Sequence, residues 1–259
     1  MDRVLRLEHV RNARELGGLP TADGRQVAAG RLFRSGSLHE MSDGDRRALE
    51  SRGVRIVVDL RSRYEQQRQS YEWPAGRKVA APLAEDEVVA DIFRRFEAGR
   101  MSELDVADWW NLTGVFDIPV QHHLSMGTIF ATLLEAGPGE GVLFHCTGGK
   151  DRTGVTVAFV LSALGVIHDA IVEDFLLTNA EAAEGAAEIM AAVKRATGHP
   201  MSPETAYWLA GVKSEWIETL LQQTADRYGS VAGYLSEQLG IGAAELIGLQ
   251  DRFLVRPGA

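Results

Sequence analysis

One stretch of the chain gathers the residue types that covalent chemistry needs: His145-Cys146-Thr147-Gly148-Gly149-Lys150-Asp151-Arg152-Thr153-Gly154. Cys146 is the only cysteine, and five residues separate it from Arg152, a Cys-x5-Arg spacing. Gly148 and Gly149 let the backbone curl so that consecutive N–H groups turn inward. The resulting nest closes on the N-terminus of the helix that follows and fits a tetrahedral dianion. Arg152, at the start of that helix, can grip two phosphoryl oxygens with its planar fork, a geometry lysine cannot reproduce. The helix dipole, the inward amides and the guanidinium all favour the thiolate of Cys146, a nucleophile facing the same concavity. A loop of this kind both binds phosphate and attacks it. Thr147, Gly148, Gly149 and Lys150 line it, with Lys150 expected as a mobile positive charge at the rim.

Phosphoryl transfer to a thiolate also needs an acid to protonate the departing oxygen. Asp59 closes the apolar run 54–59 (VRIVVD), and ligands collect at the carboxyl ends of parallel strands, where Cys146 also lies. Asp151 stands inside the loop beside Arg152. Both remain candidates, and each has a plainer reading: Asp59 as a strand-end carboxylate paired with Arg61 or Arg63, Asp151 as an anion favoured by a helix start. A lone cysteine after an apolar strand is often only a small buried hydrophobe, and Lys150 could be a solvated surface lysine. The Gly-Gly, Lys and spaced Arg tip the balance toward chemistry.

Other tempting residues carry less. His122-His123 and His168-Asp169 lack the spacing of a metal site, so neither a metal nor a cofactor is assigned. Trp109-Trp110, Phe93 and Phe96 read as core aromatics. Gly149-Lys150 resembles the end of a nucleotide-binding Walker loop, but Phe144 and Asp151 occupy positions where that loop requires glycine and Ser or Thr.

The elements that must position the loop follow from periodicity and turn chemistry. A short strand is expected over 31–34, a helix opened by Ser42 and Asp45 and ending before Gly53, and a buried strand over 54–59. Residues 61–69 read as loop or helix, 77–81 as a short strand, 86–97 and 120–135 as helices. The Gly137-Pro138-Gly139 turn leads into an apolar strand over 141–144 that delivers Cys146. An almost wholly apolar helix is expected over 155–164, then helices over 169–178, 180–196, 203–209, 214–227, 230–239 and 242–253, making the last third all helical. The fold class is α/β, a short, mostly parallel sheet flanked by helices.

Composition sets the outer bounds. The chain has 259 residues, 45% hydrophobic and 24% charged, as in an ordinary globular protein. With 27 Lys and Arg against 36 Asp and Glu, the net charge of −9 argues against a nucleic-acid or anionic-membrane binder. A lone cysteine excludes an intramolecular disulfide framework and multi-cysteine metal centres. The longest apolar run, 155–167, is short of the roughly 20 residues a membrane span needs, so no integral membrane segment is expected. The N-terminus lacks an apolar signal core, which leads to the expectation of a cytoplasmic protein. No linker or repeat interrupts 1–259, which reads as one domain.

The loop resembles that of the Cys-x5-Arg protein tyrosine phosphatases, more narrowly a bacterial branch, with mycobacterial members, that carries HC-x-x-GKDR-[TS]-G. Similar segments recur at Asn12-Ala13-Arg14-Glu15-Leu16-Gly17-Gly18, at 31–38 (RLFRSGSL), at Asp59-Leu60-Arg61-Ser62 and at Tyr228-Gly229-Ser230-Val231. The resemblance implies metal-independent, two-step hydrolysis of phosphomonoesters through a cysteinyl-phosphate. Phosphotyrosine is the implied substrate and, in several members, phosphoserine, phosphothreonine or phosphoinositides, so the partner is a phosphoprotein or a phosphoinositide. It further implies that the Thr153 hydroxyl bonds the sulfur, that His145 orients the loop, and that an acidic residue at Asp151 serves catalysis, as in lipid-directed relatives. Asp117 lies where eukaryotic members keep a mobile-loop acid, but its surroundings (VFDIP) lack their WPD pattern, which makes it a third candidate. Helices within 180–209 correspond to a lid in that branch. Two rivals remain: a rhodanese-like sulfurtransferase, whose loop lacks the five-residue interval, and a catalytically silent phosphate-binding or redox-sensing module on the same scaffold.

Overall fold

The computed structural model describes residues 3–98 and 121–258. Asp117, Trp109 and Trp110 lie outside the described residues. A five-stranded sheet carries the loop. Strands β1 (Arg14–Glu15), β2 (Gln26–Val27) and β3 (Leu32–Ser35) lead to helix α1 (Asp43–Ser51), then β4 (Val54–Asp59), α2 (Arg63–Arg68), β5 (Arg77–Ala80) and α3 (Asp86–Glu97). After them come α4 (His123–Glu135), β6 (Gly141–His145), α5 (Asp151–Ala163) and α6 (His168–Leu176). A 3-10 turn (Leu177–Glu181) leads into α7 (Ala182–Thr197), α8 (Pro203–Ala210), α9 (Ser214–Tyr228), α10 (Val231–Leu239), α11 (Ala243–Phe253) and β7 (Leu254–Val255).

The sheet order is β1-β3-β6-β4-β5, with only β1 antiparallel to its neighbour. In β4, Ile56 and Val58 pack into one apolar cluster and Val57 into another; in β6, Val142 and Phe144 face the first and Leu143 the second. Both faces are covered, which is why these strands read as unbroken apolar runs rather than alternating ones. Register aligns Ser35, His145 and Asp59 at one level across β3, β6 and β4. The carboxyl ends of the three strands, and the loops that leave them, therefore share one edge.

Two expectations need correction. The helix after the loop begins at Asp151, not at 155, because Lys150 O accepts from Gly154 N at 2.8 Å and the loop itself forms the first turn. The last third is not all helical: β7 pairs with β2 in a two-stranded ribbon. With two residues each, β1, β2 and β7 are fixed by their partners and leave no periodic trace. The segment 61–69, ambiguous in sequence, holds α2, started by a capping box in which Ser62 Oγ accepts from Glu65 N and the Glu65 carboxylate accepts from Ser62 N.

Helix α5 is buried along nearly its whole length, with the Phe159 ring edge-on to Tyr234 of α10 at 5.3 Å between centroids. A Cβ on Gly154 would come within 2.5 Å of the Phe175 ring, so that glycine lets α5 and α6 approach. Among the described residues no helix is long and apolar enough to cross a membrane.

Candidate active site

Cys146 sits at the end of β6, 3% exposed, within electrostatic reach of Arg152 and Lys150. The loop after it turns sharply at Gly149, whose φ of 64° and 2.4 Å clearance between a built Cβ and Ser35 O exclude any side chain. Gly148 has ordinary clearance; of the two glycines, Gly149 is the one that steric contact demands. Thr147 and Gly148 are exposed at the mouth, while Gly149 and Lys150 are buried.

The direction of the loop amides is set from behind. In a trans peptide the N–H points opposite to the preceding C=O, so a donor held against a loop carbonyl turns the next N–H forward. Cys146 O meets His145 Nδ1 at 3.2 Å, and Thr147 O accepts from Ser37 N at 2.9 Å. His145 is itself held by Tyr71, whose hydroxyl lies 2.6 Å from Nε2, and by Asp59 at 3.5 Å.

Arg152 is held ready by a residue the sequence reading did not single out. Its Nη1 and Nη2 donate to Glu65 Oε2 and Oε1 at 2.7 and 3.0 Å, and Thr147 Oγ1 also donates to Oε1. Burial alone would raise the Glu65 pKa, but the charge and hydrogen bonds of Arg152, with those of Thr147 and the Ser62 amide, hold it at about 2. Burial works against the charged Arg152 as well, and Glu65 overcomes it, so the guanidinium stays charged. The Ser62-x-x-Glu65 capping signature was the trace of Glu65 in the sequence.

The two candidate acids occupy contrasting settings. Asp59 is fully buried; Oδ1 accepts from Arg61 Nε at 3.0 Å and Arg61 N at 3.1 Å, and Oδ2 from Nη2 at 2.8 Å. Burial opposes its charge, but His145 and then Arg61 outweigh it and hold Asp59 well below the usual carboxylate range. Asp151 opens α5, and its Oδ1 is buried with no hydrogen-bond partner among the described residues. Burial pushes its pKa up to about 6, against the pull of Lys150 and Arg152.

Lys150 is no mobile rim charge. It is 7% exposed, its Nζ donates to Leu209 O and, at 3.1 Å, to Gly211 O, and it lies 3.6 Å from Asp151 Oδ2. The carbonyls that end α8 attract the ammonium inward, and burial lowers its pKa. The Thr153 hydroxyl is buried without a hydrogen-bond partner among the described residues, so the bond to sulfur that the resemblance implied is not made here. Phe93 packs at 5.6 Å from Tyr64 and lies under the Arg68 guanidinium, beside α2 rather than in the loop.

This arrangement can hold an oxyanion between a sulfur nucleophile, a ring of amides and a tethered guanidinium, with a protonatable carboxyl at the helix start. Similarity to known proteins agrees with it. The model of the tyrosine phosphatase family matches residues 5–255. A candidate tyrosine-protein phosphatase of Cupriavidus necator is 33% identical over 251 residues, covering 94% of this chain and 87% of the relative. The triple specificity protein phosphatase PtpB of Mycobacterium tuberculosis is 30% identical over 255 residues, 87% of this chain and 90% of that protein. A tyrosine-protein phosphatase of Nostoc commune is 26% identical over 180 residues, 61% of this chain and 52% of its own.

Proposed function

Because the chain belongs to the tyrosine phosphatase family, we propose that it hydrolyses phosphomonoesters through a cysteinyl-phosphate, with Cys146 as nucleophile, Arg152 and the loop amides as anion clamp, and Asp151 as acid and base. In the first step the Cys146 thiolate attacks phosphorus in line and forms the S–P bond. The P–O bond to the leaving group breaks, and its electron pair takes the proton of the Asp151 carboxyl. Charge spread over the three equatorial oxygens is met by the amides and the Arg152 fork. In the second step water attacks phosphorus and gives a proton to the Asp151 carboxylate. The S–P bond breaks, phosphate leaves, and the thiolate returns.

The observation that carries this reading is the pairing of a buried sulfur with a guanidinium fixed by Glu65 at the other end of the loop. Asp151 suits the acid's task because burial raises its pKa to about 6 and leaves Oδ1 unpartnered, whereas Asp59 is locked as a carboxylate by Arg61. Asp59 instead supports His145 and, through it, the loop.

Phosphotyrosine in proteins is the proposed substrate class. The loop resemblance extends the proposal to phosphoserine, phosphothreonine and phosphoinositides, and a broad specificity fits the triple specificity in the mycobacterial relative's name. We further assign α7 and α8 the part of a lid. The pair has an apolar core of its own, with Ala186, Val193, Ala206 and Leu209. It is moored to the catalytic edge by Asn12 N on Glu181, Arg11 on Glu184, and Lys150 on Leu209 O.

The test is turnover of p-nitrophenyl phosphate in EDTA, set beside sulfur transfer from thiosulfate to cyanide. Phosphate release that survives EDTA and disappears in Cys146→Ser supports the reading. Sulfur transfer without phosphate release, or turnover by the serine variant, refutes it.

A further inference from the structure

Behind the loop, on the side away from the substrate, lies a buried cluster that the chemistry above does not use. Asp174 of α6 is almost fully enclosed and accepts from three arginines: Arg3 Nη1 at 2.8 Å, Arg14 Nε at 3.1 Å and Arg34 Nη1 at 2.7 Å. Burial opposes its charge, and Arg14, Arg34 and Arg3 together overcome that and keep it ionised. Two arms run from this carboxylate to the loop. In one, Arg34 Nη2 donates to Gly149 O at 2.8 Å and Lys150 O at 3.4 Å. In the other, Arg14 donates to Asn12 Oδ1, and Asn12 Nδ2 donates to Gly149 O at 2.9 Å and Gly148 O at 3.3 Å. The Arg14 contact settles which end of the Asn12 amide faces the loop. Asn12 holds this place with a φ of 52°, a left-handed conformation that asparagine tolerates better than most residues.

We propose that Asn12 and Arg34, keyed to Asp174, are positioning residues of the anion loop. By drawing the carbonyls of Gly148, Gly149 and Lys150 backward they aim the N–H groups of Gly149, Lys150 and Asp151 at the phosphate. The geometry requires it: each of those N–H groups shares a peptide plane with a carbonyl that one of the two arms holds. Arranging the donors before substrate arrives spares their reorganisation during the reaction, which is what makes such a site effective. Arg3 is the internal contrast, since it meets Asp174 and, at 3.5 Å, Glu15 O, but no loop carbonyl.

The inference rests on the phosphatase reading, and its test separates the two. Affinity for inorganic phosphate is measured by calorimetry on the Cys146→Ser protein, alone and combined with Asn12→Asp, Arg34→Lys or Arg3→Gln, with melting temperature recorded for each. Asn12→Asp is nearly isosteric and keeps the partner of Arg14, but sets an oxygen against Gly149 O. It adds a carboxylate that Arg14 can still pair but that lies near Glu181, which accepts from Asn12 N, so the recorded melting temperature separates a loss of fold from a loss of phosphate binding. Phosphate affinity is expected to fall at least about tenfold with Asn12→Asp and with Arg34→Lys, and to stay unchanged with Arg3→Gln. In the enzyme with Cys146 intact, Asn12→Asp should lower kcat/KM by a similar factor. Should Asn12→Asp bind phosphate as tightly as its parent, or Arg3→Gln lose as much as Arg34→Lys, the cluster is only structural and the proposal fails. A Cys146→Ser protein with no phosphate affinity overturns the phosphatase reading itself and this inference with it. Asn12→Asp keeps the test decisive if Arg34→Lys does not fold.

Discussion

At the carboxyl end of β4 the Asp59 carboxylate has both oxygens occupied by Arg61, with His145 alongside. One strand over, past the carboxyl end of β6, the Asp151 side chain is half-buried, and its buried Oδ1 meets no donor among the described residues. The two residues share a type and a sheet edge. Burial raises both pKa values and their partners decide the outcome: His145 and Arg61 outweigh it at Asp59, which stays ionised far into acid, while Lys150 and Arg152 do not at Asp151, which moves up to about 6. A carboxylate whose hydrogen-bonding capacity is full serves the fold. One that is buried and left incomplete is poised to gain or lose a proton.

The largest expected effect tests this contrast on the reaction. Asp151→Asn should lower kcat on phenyl phosphate, a poor leaving group, by about 10²- to 10⁴-fold, and cost much less on p-nitrophenyl phosphate, which needs no proton. Asp59→Asn should show no such dependence on leaving group. Steady-state rates across a series of aryl phosphates decide it, and a leaving-group dependence in Asp59→Asn would reverse the two roles.

Next comes stability. Asp59→Asn leaves the buried Arg61 guanidinium without its counter-charge, and removal of one member of such a pair costs about 3 kcal/mol. Urea unfolding at pH 7 should show this, whereas Asp151→Asn should be stabilising there. The sign follows from linkage. The folded-state pKa of Asp151 is raised, so its favourable contribution is full below the unfolded value near 3.8 and is lost as pH climbs through about 6. Asp59 and Glu65 have lowered pKa values, and their contributions are lost as pH falls below the unfolded range. Between pH 4 and 6 the wild type should therefore lose about 2 kcal/mol relative to Asp151→Asn as pH rises, the opposing contributions of Asp59 and Glu65 being common to both proteins. The kcat/KM profile should likewise carry an alkaline limb near pH 6 that this variant lacks.

The smallest effect concerns the guanidinium rather than the acids. Glu65→Gln keeps shape but removes the charge facing Arg152, so kcat/KM should fall about tenfold, equally for good and poor leaving groups. A leaving-group dependence there would mean that Glu65 takes part in proton transfer.

Much of this was legible beforehand. The Cys-x5-Arg spacing gave the loop, the apolar runs before Asp59 and Cys146 gave β4 and β6, and Ser42 with Asp45 marked the start of α1. What could not be read depends on approach in three dimensions. Nothing local says that Lys150 is drawn under the end of α8, that Thr153 lacks a partner, or that Asp174, 160 positions from Arg14, gathers three arginines. In the sequence the segments around Asn12 and Arg34 carry only a likeness to the family's. Their task emerges when the carbonyls they hold are traced. Glu65 had a local signature, and it pointed to helix capping rather than to Arg152.

The central claim is that phosphorus passes through the sulfur of Cys146. Rapid acid quench of the Asp151→Asn protein during turnover of p-nitrophenyl phosphate, followed by intact and fragment mass spectrometry, tests it most directly. The account predicts one phosphoryl group per chain, located on Cys146. Turnover with the phosphoryl group on another side chain, or with none at any quench time, would contradict it.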